Sequence, residues 1–191
     1  YVSDTIDSIF KQTHKPDKII LWLAEEQFPK KEKELPERLL SQCKHGLTIQ
    51  WCKDTKSYKK LIPTLKKHPN DCIITIDDDL IFNEDMIECL WKSYLEEPYY
   101  IHCHRITKVF YHQKNNLDVI PGGFQTYNQA TYLHKVSSGA GCLFPPHSLY
   151  QDVTDETKFL ELAPTNNDIW FWLMGAMNGY KVNVVKNNNC H

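Results

Sequence analysis

The sequence predicts an α/β domain: a mostly parallel sheet flanked by helices and joined by right-handed crossover connections. Three observations carry this. Apolar runs of strand length alternate with helix-length amphipathic segments through the first hundred residues. The 191 residues are 41% hydrophobic and 12% aromatic, enough for one sizeable core in a single domain spanning 1–191. Only 24% are charged, which sets aside a disordered chain.

The elements follow in order. Ile6, Ile9 and Phe10 share one face of a helix over 4–12, which stops near Lys15-Pro16. Residues 18–23 (Lys-Ile-Ile-Leu-Trp-Leu) read as a buried strand. A polar helix is expected over 31–44, started or interrupted by Pro36 and closed by Gly46. Thr48–Cys52 is a short strand, and Asp54-Thr55 cap a helix running to Lys67, with Pro63 as a kink or restart. Residues 71–76 form a third strand that runs straight into Asp77-Asp78-Asp79. Asn83 is expected to cap the next helix, whose inner face holds Ile87, Leu90, Trp91 and Tyr94. A fourth strand covers 99–105 and extends toward Tyr111, after which 112–138 reads as irregular. Gly139 to Pro146 is a glycine loop leading into an apolar element. A brief helix follows from Thr154 to Leu162, then an apolar helix opened by Asn166-Asn167-Asp168 and ended by Gly179, and a last strand over 181–185.

Composition narrows the function classes. A net charge of -2 and a pI near 6.5 argue against a general nucleic-acid binder. No apolar run approaches the roughly 18 residues of a spanning helix, and Tyr1-Val2-Ser3-Asp4 does not read as a signal peptide. The seven cysteines form no CxxC pair, which fits unpaired thiols in a reducing compartment rather than a zinc ribbon. His102 and His104 alternate on one strand face, but two ligands do not make a metal site, and a structural role is expected.

Three adjacent carboxylates directly after a buried strand repel one another and cannot enter a core unpaired. A solvated turn accommodates them. So does a divalent-cation site, because open α/β sheets bind ligands beyond the carboxyl ends of their strands and Mg²⁺ or Mn²⁺ prefers oxygen ligands. For Asp168, too, a first-turn acid at a helix N-terminus and a general base both fit.

The segment Ile73-Ile-Thr-Ile-Asp-Asp-Asp-Leu-Ile-Phe resembles the DxD region of GT-A fold glycosyltransferases. Four further features agree in order with a bacterial, family-2-like group of these enzymes. They are Thr5-Ile-Asp-Ser-Ile-Phe-Lys-Gln-Thr with Pro16, Asp54-Thr-Lys-Ser-Tyr-Lys-Lys-Leu-Ile-Pro, Ser138-Gly-Ala-Gly-Cys-Leu-Phe-Pro-Pro, and Asn167-Asp-Ile-Trp-Phe. The resemblance covers nearly the whole chain and implies the GT-A fold, a Rossmann-like mixed sheet flanked by helices. It implies a metal-dependent transfer of a sugar from a nucleotide-diphosphate donor, a UDP-sugar, to a saccharide or lipid-linked saccharide, with inversion, in surface polysaccharide synthesis. The implied setting is cytoplasmic, with room for peripheral association at the inner membrane face.

The resemblance also implies roles by position. Asp77 contacts the nucleotide and, with Asp79, the Mn²⁺ or Mg²⁺ ion; Asp78 supports the turn on the nucleotide side. Lys59 or Lys60, of which Lys60 is preferred, lies near the nucleotide. Gly139 and Gly141 permit close backbone approach beside sugar and acceptor, and Asp168 is the general base. Apart from the resemblance, Trp170, Phe171 and Trp172 read mostly as core packing, with Trp170 the candidate to stack on a sugar ring. Arg105 pairs with an acid near the site, and His191 is a further metal ligand by position alone. Two departures are visible. The family's first strand is missing, so the domain reads as N-terminally truncated, and its "DDIW" segment reads Asn167-Asp168 here. Two rival functions follow from these residues: a non-catalytic remnant or nucleotide-sugar-binding module, and a Mg²⁺-dependent phosphohydrolase using Asp77 and Asp79.

Overall fold

Helices and short strands alternate from the first residues onward. The computed structural model describes residues 1–112, 116–120 and 129–185. Helix α1 (Val2–Phe10) buries Ile6 and Ile9 and leads to strand β1 (Ile19–Ala24). The polar stretch expected as one helix is broken in three: a 3₁₀ turn (Lys31–Glu34), helix α2 (Glu37–Gln42) entered through Pro36, and a second turn (Cys43–His45) closed by Gly46 at φ 109°. Pro36 interrupts the first turn, and the left-handed Gly46 stops the last. Strand β2 (Leu47–Cys52) pairs with β1 in parallel, Ile19 opposite Leu47.

The next pair is also split at proline. A 3₁₀ turn (Lys56–Lys60) precedes helix α3 (Ile62–Lys67), which restarts with Pro63 in its first turn. Strand β3 (Ile73–Ile76) and helix α4 (Met86–Glu96) follow. Helix α4 begins two residues later than an Asn83 cap predicts, with Asp85 at the N-cap position. Strand β4 (Tyr100–Cys103) ends before Arg105, and β5 (Ile106–His112) is a separate strand. The stretch read as irregular contains two strands, β6 (Asn116–Ile120) and β7 (His134–Val136). Strand β8 (Ala140–Phe144), a 3₁₀ turn (Gln151–Thr154), helix α5 (Glu156–Leu162), helix α6 (Asn167–Met177) and strand β9 (Lys181–Val184) complete the described chain.

The sheets are mixed rather than mostly parallel. The main sheet has the order β3-β8-β4-β9, with β8 antiparallel to both neighbours and β4 parallel to β9. The reason is a contact between segments far apart in sequence. The chain enters β8 beside the carboxyl end of β3, where Asp77 N–H donates to Gly139 O at 2.8 Å, so β8 has to run back along β3. Strands β6-β5-β7 form an antiparallel sheet of their own, and the β1–β2 pair is hydrogen-bonded separately from the main sheet.

Residues of the main sheet alternate between two cores, as the two-residue period of a strand requires. Ile73, Ile101, Cys103, Cys142, Phe144, Val182 and Val184 face one side, against Tyr58 and Leu61 near α3 and Phe159, Trp170 and Phe171 of α5 and α6. Ile74, Ile76, Leu143 and Val185 face the other, against Ile9 of α1 and Met86, Ile87 and Leu90 of α4. A third cluster, Ile6, Leu35, Leu39 and Leu47, seats α1 and α2 on the β1–β2 pair.

Gln12 fixes the loop that follows the aspartate triplet. It is fully buried; its amide donates to Ser8 O (3.2 Å) and Asn83 O (2.6 Å), and its Oε1 accepts from Ile87 N–H (2.9 Å). Thr13 N–H adds a bond to Glu84 O at 2.7 Å. One side chain thus satisfies an otherwise orphaned donor at the start of α4 and ties that end to α1.

Candidate functional site

The carboxyl end of β3 gathers three segments distant in sequence: the turn before α3, the loop before β8 and the first turn of α6. Lys60 closes the Lys56–Lys60 turn, and its ammonium donates to Asp77 Oδ1. The lysine side chain is 18% exposed and the aspartate 43% exposed, so the pair lies at the rim of the core with the carboxylate partly in solvent. Asp78 and Asp79 follow in the turn and are exposed. Lys59 points elsewhere, to Asp54 at 3.3 Å.

Gly139 touches Asp77 twice. Its carbonyl accepts the Asp77 N–H, and a Cβ at position 139 would stand 1.7 Å from Asp77 Oδ2. Only a residue without a side chain leaves the carboxylate where it is. Gly141 sits within β8 at φ 90°, where a Cβ would come 3.0 Å from the His104 ring and 3.2 Å from Met86 Sδ. The close approach expected at Gly141 is therefore to its own core, not to a ligand.

Asp168 lies in the first turn of α6, behind Asn166, whose side chain caps the helix by accepting from Ile169 N–H at 3.1 Å. Ser138 reaches it from the loop before β8. Ser138 N–H and Ser138 Oγ both donate to Asp168 Oδ1, at 3.0 and 2.5 Å. Asn167 Nδ2 donates to Ser138 Oγ at 3.0 Å. Beneath this layer, Cys142 and Cys103 are buried cross-strand neighbours with their sulfurs 3.1 Å apart. Burial pushes the Cys142 thiol well above its ordinary range; Cys103 and then Asp168 add to this, and Lys60 opposes it. The two sides of the site thus act on one buried sulfur from opposite signs of charge.

Trp170 corrects an expectation. It is 3% exposed, its indole N–H donates to Val153 O at 3.0 Å, and its ring packs edge-on against Phe159. It has no face left for a sugar; α6 turns it into the core while Ile169 and Leu173 face outward. His102 and His104 are buried, as the structural reading expects. His102 bonds Ser93 Oγ (2.8 Å) and Glu97 O (3.0 Å), and His104 Nε2 bonds Met86 O (2.9 Å). Arg105 lies in the exposed turn after β4, where its carbonyl accepts Ser137 N–H at 3.1 Å and so anchors the loop that carries Ser138. His191 lies outside the described residues. Two residues that matter here, Ser138 and Asn167, drew no role from the sequence. Serine in a glycine loop and asparagine at a helix start carry no signal beyond turn and cap formation.

Among the described residues no group of three or more His, Cys, Asp or Glu side chains is gathered to hold a metal. The donor set is one of hard oxygens: Asp79 in the exposed turn and Asp77 beside Lys60. That fits an ion of the Mg²⁺ or Mn²⁺ kind, which takes one or two carboxylates and fills its shell with phosphate and water. It does not fit a closed protein cage. Two open clefts, of about 520 and 550 Å³, lie apart from these residues, one beside Asp4, Asp7 and Arg38 and one beside Phe10, Lys15 and Ile19. Among the described residues no helix is long and apolar enough to cross a membrane.

No protein-family model matches the chain, and no curated protein matches it.

Proposed function

We propose that the chain is a metal-dependent glycosyltransferase of GT-A type. On this reading it moves a sugar from a nucleotide-diphosphate donor, a UDP-sugar, to a saccharide or lipid-linked saccharide in surface polysaccharide synthesis. The observation that supports it best is the meeting of Asp77, Lys60, Gly139 and the Ser138–Asp168 pair at one end of β3 and β8. A carboxylate cluster, a cation and a second, separately held carboxylate are the groups sugar transfer needs at one place.

The division of labour follows from the chemistry. Asp79 and Asp77 are the residues to hold Mn²⁺ or Mg²⁺, whose contribution when bound is to neutralise the diphosphate leaving group. Lys60, already at Asp77, brings a positive charge to the same oxygens, and Asp78 keeps the turn solvated and open. Asp168 accepts the proton of the acceptor hydroxyl as that oxygen attacks the anomeric carbon. One base on the acceptor side serves a single displacement, which inverts the centre. On this reading the enzyme works in the cytoplasm, at the inner membrane face where the acceptor is lipid-linked.

Calorimetric titration of UDP with and without Mn²⁺ tests the reading. Metal-dependent binding in the wild type that Asp79→Ala removes supports it. Absence of UDP binding by a folded sample, or Asp79→Ala binding Mn²⁺ and UDP normally, overturns the metal and nucleotide assignments. The first of those results favours a non-catalytic module.

A further inference from the structure

We propose that Ser138 is the positioning residue for Asp168, and that Asn167 sets the direction in which Ser138 acts. The proposal rests on the reading of Asp168 as the base. Ser138 is fully buried, and each of its polar groups is committed. Its carbonyl accepts from Thr75 Oγ at 2.7 Å, which pins the loop to β3. Its N–H and its hydroxyl converge on one oxygen, Asp168 Oδ1. Its Oγ accepts from Asn167 Nδ2.

Direction follows from donor and acceptor chemistry. An ionised carboxylate only accepts, so the Ser138 hydroxyl proton has to point at Asp168. Asn167 makes that orientation the favoured one, because its amide hydrogen occupies the serine lone pair from the other side. Asn167 Nδ2 also lies 3.5 Å from Asp168 Oδ1, so the amide presents its NH₂ rather than its oxygen to this acceptor pair. The consequence is an asymmetric carboxylate. Oδ1 is held by three donors, the Ser138 N–H and hydroxyl and, at 3.5 Å, the Asn167 amide, and among the described residues Oδ2 receives none. Oδ2 is then the oxygen that meets the acceptor hydroxyl, and rotation about the Asp168 side chain is arrested in that pose.

The test compares wild type, Ser138→Ala and Asn167→Ala in two readouts. The first is the Asp168 side-chain carboxyl ¹³C resonance at fixed pH, which needs no turnover. The second is UDP release from a panel of UDP-hexoses and UDP-N-acetylhexosamines with Mn²⁺, analysed as kcat and KM separately. Both variants should move the Asp168 resonance. Both should lower kcat by about tenfold, the loss of one hydrogen bond to a charged group, with KM and UDP affinity near wild type. Ser138→Thr, which restores a hydroxyl, should recover part of kcat. An unmoved Asp168 resonance overturns the proposal whether or not the protein turns over. So does a change in which kcat and UDP affinity fall while KM rises, the signature of a merely structural serine. A moved resonance in a protein that binds no UDP and releases none supports the positioning and overturns the glycosyltransferase reading alone.

Discussion

The Lys60 ammonium is bonded to the Asp77 carboxylate across a separation of 17 residues, joining the turn before α3 to the end of β3. The first acid of the triplet is thus charge-compensated by the protein itself, while Asp78 and Asp79 stay in solvent. Replacing Lys60 by Met keeps the aliphatic stem and removes the charge. Because Asp77 is 43% exposed, the cost in stability should stay below about 1 kcal/mol. Affinity for UDP in the presence of Mn²⁺ should fall about tenfold, a charge-assisted contact to the diphosphate being lost. Calorimetry beside a thermal melt separates the two effects; unchanged UDP affinity would leave Lys60 as a structural partner of Asp77 and nothing more.

Gly139→Ala tests the same carboxylate from the opposite side. The new Cβ meets Asp77 Oδ2 at 1.7 Å and Cγ at 2.1 Å, so Asp77 has to swing outward and leave Lys60. Overpacking at such a site costs about 1–3 kcal/mol. Metal-dependent UDP binding should disappear while the protein still melts cooperatively. Wild-type UDP binding in Gly139→Ala would mean that the position of Asp77 does not matter to the nucleotide.

How far the sequence alone reached depends on whether the decisive physics is local. The strand that ends at Ile76, the Asn166 cap and the Gly46 stop are local, and each lies where the pattern puts it. The antiparallel course of β8 is not. All five residues of Ala140–Phe144 are buried, and an evenly buried run carries no record of strand direction. The same holds for α6, where Trp170, Phe171 and Met174 are buried while Ile169, Leu173 and Met177 are exposed. With apolar residues on every face, the helix does not declare which aromatic meets solvent, and the sugar-stacking expectation for Trp170 fails for that reason. The acids of the candidate site stood out because charge after a buried strand is conspicuous. Ser138 did not, because its importance lies in partners 30 residues away.

Tyr58 offers a stability prediction that is independent of function. Its ring stacks on Phe159 with centroids 4.1 Å apart, and its hydroxyl donates to Ala163 O at 2.6 Å within the main core. Burial pushes the phenol up to about 12, so the donor stays protonated at any physiological pH. Tyr58→Phe keeps the stacking but leaves the Ala163 carbonyl short of its donor, at a cost of about 1–3 kcal/mol. Tyr58→Ala also opens a cavity and should cost about 3–5 kcal/mol. Urea unfolding of the two variants checks the ordering, and equal losses would show that the hydroxyl rather than the ring dominates.

Three buried histidines make stability fall on the acid side. Burial lowers His102 to about 4, against 6.5 for the free side chain, and lowers His104 and His134 in the same direction. His102 is held neutral with its Nε2–H on Glu97 O and its Nδ1 accepting from Ser93 Oγ, which in turn accepts from Asn183 Nδ2 at 3.1 Å. The folded state resists the proton that the unfolded chain takes up near pH 6.5. The stabilisation is therefore complete above that pH, declines as pH falls, and is exhausted below about pH 4. The His102 contribution alone is on the order of 3 kcal/mol. Urea midpoints measured between pH 7 and pH 4 should decline steadily, and His102→Gln should flatten the slope at a lower starting stability. A variant slope equal to the wild-type slope would assign the acid sensitivity to groups other than His102.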